Sequence, residues 1–315
     1  AFCILFSDSF EEDTISVLTK KRTLGSLPFG GRYRLIDFML SNLVYASVPE
    51  VAVVARNHYS SLADHLGTGK DWDLSRKNGG LKLLTPFMNE SGYHYQNRFE
   101  ALSSFRTYLT RLLPEYGIVA DANLICTLDL REVHKRHVES GADVTVVCSE
   151  GQPRQGDTEV LAGEDGIIYD ARCHTGSRDG TALLLRKIFI MKKSVLLELV
   201  DQGSTYGWSD LARDFIAKKF SSHRFYAIRT LQDYYGTSMD LLNAAIRREL
   251  LDSETHILTK IKDTVPTVYG EHGNVANSLI ADGCRIEGTV ENSILFRDVR
   301  IGKGVAVRNS IVMQG

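Results

Sequence analysis

Over roughly the first 250 residues, short apolar runs alternate with longer segments in which apolar side chains return every three or four positions. The short runs predict strands at 3–6, 51–55, 118–120, 144–148 and 188–191, since a strand buried on both faces reads as an unbroken apolar stretch. The three-and-four spacing predicts helices over 35–44, 99–113, 130–140, 194–202 and 210–220. Such alternation builds an α/β, Rossmann-like domain, a mainly parallel sheet with helices on both faces. Residues 157–179 are rich in Gly and charge, and their weak strand signals read as excursions at the sheet edge.

From Asn274 the periodicity changes. Ile280 and Ile286 lie six apart, as do Leu295, Ile301, Val307 and Met313, with a second row of Val299, Val305 and Ile311. Period six with Gly and Asn between is the signature of a parallel β-helix, whose inward aliphatic rows stack into a narrow core. Some forty residues give about two coils by that spacing, too few to be stable alone, so the module is expected to lean on the first domain or on a neighbour. The polar stretch 251–273, with Pro266 and Gly270, reads as a linker. The predicted organisation is the α/β domain over 1–250, a linker over 251–273 and the start of the coil domain over 274–315. The missing initiator Met and an end in mid-pattern at Gly315 suggest a fragment, truncated at its C-terminus.

Composition narrows the function classes. In 315 residues, 43% are hydrophobic and 24% charged, and the net charge of -2 gives no general electrostatic reason to bind nucleic acid or an anionic membrane. No apolar run approaches the ~20 residues a membrane helix needs. Cys3, Cys126, Cys148, Cys173 and Cys284 are scattered, odd in number and without a C-x-x-C pair, so neither a disulfide framework nor a zinc site is indicated. A cytoplasmic location with reduced thiols is expected.

The chemistry-bearing stretch is 27–42, LPFGGRYRLIDFMLSN, a Pro-Phe-Gly-Gly turn opening an amphipathic helix. With GADVTVV at 141–147, SDLARDF at 209–215 and SLIADGCRIEGTVENSILF at 278–296, it resembles the ADP-glucose pyrophosphorylase (glucose-1-phosphate adenylyltransferase) family along nearly the whole chain. The resemblance implies a nucleotide-binding α/β domain followed by a left-handed β-helix. The reaction it implies is ATP plus glucose 1-phosphate giving ADP-glucose and pyrophosphate. Phosphoryl transfer of this kind needs positive charge and a metal to offset the triphosphate. The family supplies them through a loop of the form GGGxGTRLxPLTxxRAKPAVPFGG and two metal-holding aspartates.

Carried onto this chain, those positions lose their chemistry. The Gly-rich loop falls on FSDSFEEDTISVLTKKRTLGSLPFGG, with Phe10, Glu11, Glu12, Asp13 and Thr14 over the glycines, arginine and flanking positions. Acids there repel phosphate. The lysine of RAKP falls on Leu24, while Arg22 keeps the arginine. The first metal aspartate, in G-D-H-I-Y-x-M-D-Y, falls on Asn123 without a gap; a rival alignment with a two-residue insertion places Asp121 there. The second, in D-V-G-T, falls on Ala227, with Asp233 six residues on. The sugar-phosphate segment F-x-E-K-P falls on 170–174, with Cys173 in the lysine place.

The resemblance therefore points to the regulatory, catalytically impaired branch. Such a chain is expected to pair with a catalytic homologue in a heterotetramer in glycogen synthesis, to hold no metal of its own, and to leave Mg2+ to that partner. The alternative is an active nucleotidyltransferase with displaced metal ligands, Asp121 and Asp233. Candidate substrate- or effector-binding residues are Arg22, Gly30, Gly31, Arg32, Arg34 and Asp210, for a sugar phosphate or nucleotide. Each has a structural reading beside the functional one. Arg32 and Arg34 either hold an anion or pair with local acids, and Asp210 and Asp214 either bind ligand or cap a helix. His134 and His137, i and i+3 on a helix, lack a third ligand candidate.

Overall fold

A computed structural model describes residues 1–8, 15–86, 95–163, 166–176, 179–208, 226–227, 231–251, 256–261 and 263–314. The expected sites at Phe10, Glu11, Glu12, Asp13, Thr14, Asp210 and Asp214 lie outside the described residues, as does the helix expected over 210–220.

The first unit runs β1 (Phe2–Phe6), α1 (Leu35–Tyr45), β2 (Glu50–Val54), α2 (Ser60–Leu66), β3 (Gly80–Leu84), α3 (Arg98–Ser104), α4 (Arg106–Arg111), β4 (Tyr116–Asp121), β5 (Leu124–Ile125), α5 (Leu130–Ser140), β6 (Val144–Gly151), β7 (Thr158–Ala162), β8 (Ile168–Cys173), β9 (Ala182–Lys192), α6 (Lys193–Tyr206), β10 (Tyr226–Ala227), α7 (Leu231–Asp240) and α8 (Ala244–Leu251). Eight strands form one mixed sheet in the order β8-β7-β9-β4-β1-β2-β3, with β6 also paired to β9. The segment β3-β2-β1-β4 is parallel. Beyond it β9 runs antiparallel to β4, β6 and β7, and β7 and β8 form the antiparallel excursion expected within 157–179.

The side chains of β1 alternate between two cores. Phe2, Ile4 and Phe6 pack with Phe99, Leu102, Phe105, Leu109, Leu196 and Leu199 from α3, α4 and α6. Cys3 and Leu5 pack with Ile36, Met39, Leu40, Leu43 and Val133 from α1 and α5. All five β1 residues are buried, as two covered faces require. Each fully buried side chain of this size contributes about 1.5–3 kcal/mol.

Three local readings are corrected. The helix expected over 99–113 is two helices that end at Arg111, because Pro114 disfavours helical backbone at the residue before it and Leu112 is already extended (ψ 134°). The seven-residue α2 and the edge strand β3, whose leucines are only half-buried, were not predicted. In the coil, Val305 is exposed rather than inward.

The coil consists of three parallel three-stranded ladders, each strand stacked on its counterpart in the next turn. Its first strand, Val268–Tyr269, pairs in parallel with Arg285–Ile286. Asn274 pairs with Thr289 and Thr289 with Ala306, steps of 15 and 17 residues. Neither is a multiple of six, so a strict six-residue row drifts off the core. Cys284, Ile286, Val290, Leu295, Val299 and Ile301 make the inner core, while Ile311 and Met313 face the first unit. One corner repeats as Asn277-Ser278, Asn292-Ser293 and Asn309-Ser310. Each Asn takes positive φ, and the side-chain amides form a ladder at 3.0 and 2.6 Å. Asparagine tolerates that backbone better than most residues.

A third apolar cluster seats the coil on the first unit. It joins Ile15, Leu24, Leu27, Phe29, Leu35, Phe38 and Ile125 to Leu241, Leu250 and Ile257, with Leu279, Ile311 and Met313 of the coil packed against it. The coil does lean on the first domain.

Candidate functional site

The Pro-Phe-Gly-Gly turn is a small hairpin in which Pro28–Phe29 pairs with Tyr33–Arg34. Gly30 and Gly31 make the reversal with φ of 57° and 82°, backbone that L side chains rarely adopt. A Cβ at Gly30 would lie 2.8 Å from Leu241 Cδ1, and one at Gly31 3.6 Å from Ala281 Cβ of the coil. The turn is thus part of the coil's seat.

The residues after it are committed to internal bonds. Asp37, fully buried, accepts the Arg34 backbone N–H at 2.9 Å and lies 2.6 Å from His65 Nε2. Arg34 Nη1 donates to the carbonyl of Ser61 at 2.5 Å and to its hydroxyl at 3.0 Å. Burial lowers the pKa of the Arg34 guanidinium and nearby Arg22 adds to that, while Asp37 opposes it. Arg22 is half-buried; Arg32 is exposed, its guanidinium carbon 5.6 Å from the ring centroid of Tyr33. Ser41 Oγ accepts the Leu258 N–H at 2.8 Å. Asn42 donates to the Cys126 carbonyl at 3.0 Å and accepts the Leu128 N–H at 3.2 Å, fixing the loop after β5. Sequence reading missed Asn42, Asp37 and His65, whose partners are remote in the chain.

The cleft expected of such a sheet lies at the carboxyl ends of the parallel strands. Ser7, just past β1, binds the Val54 carbonyl through its N–H, and Gly25 in turn binds the Ser7 carbonyl, both at 2.9 Å. The 3-10 turn Leu24–Ser26 thereby lies across the strand ends, and a Cβ at Gly25 would come within 2.9 Å of both Ala122 Cβ and Ser7 Oγ. Leu24 is buried in the apolar cluster with Phe29, Phe38 and Ile125. Asp8 accepts the Arg56 N–H, and burial raises its carboxyl pKa against that bond and the Arg56 charge.

At the end of β4, Asp121 is bound by Arg98 at 2.6 Å in a buried ion pair. Asn123, two residues on, is half-buried. Ala227 of β10 pairs with Leu124 of β5, the residue that follows Asn123. Asp233 belongs to α7. Among the described residues no three His, Cys, Asp or Glu side chains come together as a metal-holding group. An amide, a methyl group and a carboxylate already held by a guanidinium are a poor donor set for a divalent cation.

Burial raises the thiol pKa of Cys126 and of Cys148 to about 12, which makes both inert as nucleophiles. His137 Nδ1 lies 2.8 Å from Thr145 Oγ1, and both His134 and His137 stack edge-on against Tyr116. Burial lowers the pKa of both imidazoles. Among the described residues no helix is long and apolar enough to cross a membrane.

Known families match both parts of the chain. Residues 15–156 fit the nucleotidyl transferase family, and residues 263–315 the GlmU-like C-terminal hexapeptide family. The glycogen biosynthesis protein GlgD of Bacillus subtilis (strain 168) is 36% identical over 92% of this chain and 78% of its own length. GlgD of Geobacillus stearothermophilus is 35% identical over 94% and 79%. The glucose-1-phosphate adenylyltransferase of Fervidobacterium nodosum is 31% identical over 95% and 75%. With a nucleotidyltransferase sheet, a parallel coil seated on it and matches along almost its full length, the chain belongs to the family of GlgD glycogen biosynthesis proteins and glucose-1-phosphate adenylyltransferases.

Proposed function

We propose that this chain is the regulatory, catalytically impaired subunit of an ADP-glucose-forming enzyme of glycogen synthesis. It pairs with a catalytic homologue, in a heterotetramer, and sets that subunit's activity or effector response. ATP and glucose 1-phosphate are converted on the partner, which needs Mg2+. The observation that carries this reading is the pairing of β5 with β10. The family resemblance assigns metal carboxylates to Asn123 and Ala227, and this pairing sets Ala227 opposite Leu124, the neighbour of Asn123. Losing both carboxylates removes most of the attraction for a divalent cation. Leu24, buried among apolar side chains, supplies no charge where the family has lysine. Among the candidate arginines, Arg22 and Arg32 are the ones offered to a sugar-phosphate or nucleotide effector, since Arg34 is bonded to Ser61. Assaying ADP-glucose formation by the purified chain, by a catalytic homologue and by their mixture tests the reading. Family-typical turnover by the chain alone would refute it.

A further inference from the structure

The parallel sheet grows from β1 toward β2 and β3 on one side and then resumes at β4 on the other. In open α/β sheets, ligands enter the crevice at such a reversal, outside the carboxyl ends of the strands. Here the crevice between β1 and β4 holds Arg98. Its Nη2 donates to Asp121 Oδ2 at 2.6 Å, and its guanidinium carbon lies 5.5 Å from the ring centroid of Phe6, the last residue of β1. Arg98 is 6% and Asp121 9% exposed, and Asp121 Oδ1 is buried with no hydrogen-bond partner among the described residues. The start of α3 fixes the arginine in place, because the Asn97 side chain caps that helix by accepting the Glu100 N–H at 2.9 Å.

We infer that Arg98 is a resident counter-cation. Its guanidinium takes the electrostatic place of a divalent cation beside Asp121 at the strand ends, and it leaves that carboxylate indifferent to Mg2+ or Mn2+. A buried carboxylate is costly unless paired, and a cation tethered to the same chain outcompetes a dilute one. Among the described residues at these strand ends, Asp8 accepts the Arg56 backbone N–H. The inference rests on the reading of this cleft as non-catalytic, yet the two fail separately. Partner stimulation is scored by ADP-glucose formed, the counter-cation by response to metal.

The test is thermal unfolding of the full chain with and without millimolar Mn2+, beside an electron paramagnetic resonance titration of free Mn2+. The natural chain is expected to bind no Mn2+ and to keep its Tm. Arg98→Ala is expected to lower the Tm and to regain on the order of 3 °C with Mn2+. That gain should vanish in the Arg98→Ala/Asp121→Asn double variant, and Arg98→Lys, which keeps the charge, should stay insensitive to metal. A natural chain that binds Mn2+ and loses it in Asp121→Asn overturns the inference. An Arg98→Ala protein indifferent to Mn2+ does so too. Should Arg98→Ala fail to fold, the titrations of the natural chain and of Arg98→Lys decide.

Discussion

Leu24, which the family resemblance sets at a phosphate-binding lysine position, is buried against Phe29, Phe38 and Ile125. Restoring the charge by Leu24→Lys is therefore expected to put an ammonium group into an apolar cluster without a counter-ion. It should lower stability by about 3 kcal/mol or more, read by denaturant unfolding, and should not confer activity. His134 and His137 give a pH signature. Burial lowers both pKa values, so the unfolded chain takes up protons that the folded chain resists. The stability they contribute is complete above the unfolded value of about 6.5 and is lost as pH falls through the lower folded values. Tm is expected to drop from pH 7 to pH 5.5, and His134→Phe, which keeps an aromatic edge against Tyr116, should flatten that slope. The motif flanking Leu24 supplied the register for its sequence reading, while its burial among apolar side chains is visible only in the fold. Arg98 was not legible in the sequence. Its partner Asp121 is remote in the chain, and no periodicity links a helix start to a strand end.

At the scale of elements, strands buried on both faces were the most legible, since β1 and β2 carry unbroken apolar runs and β6 one interrupted only by Thr145 over 144–148. The coil was legible from its period, but its phase was not. Corner turns make steps of 15 and 17 residues, and a six-residue rule then misplaces Val305 and Ile311. Ile311 serves the seat rather than the coil's own core. Because it is half-buried, Ile311→Ala is expected to cost about 1–2 kcal/mol, below the range for a full core deletion. Gly30→Ala should cost a similar amount, because positive φ and the nearby Leu241 both resist a Cβ. Thermal unfolding of the two variants checks both values.

For the whole molecule, the sheet, the Gly-Gly turn and the seated coil keep the frame of a glucose-1-phosphate adenylyltransferase, while the cleft carries Leu24, Asn123, Ala227 and an internal Arg98–Asp121 pair. In the proposed regulatory role, such a chain acts on an active neighbour through shared surfaces. A coupling of about 1–3 kcal/mol between subunits changes affinity roughly 5- to 150-fold. The most direct measurement is ADP-glucose formed from ATP, glucose 1-phosphate and Mg2+ by this chain alone, by a catalytic homologue alone, and by the two mixed. The expected result is negligible product from the chain alone, with an altered rate or effector response of the homologue in the mixture. Family-typical turnover by the isolated chain, or a homologue that behaves identically with and without it, would contradict a regulatory role.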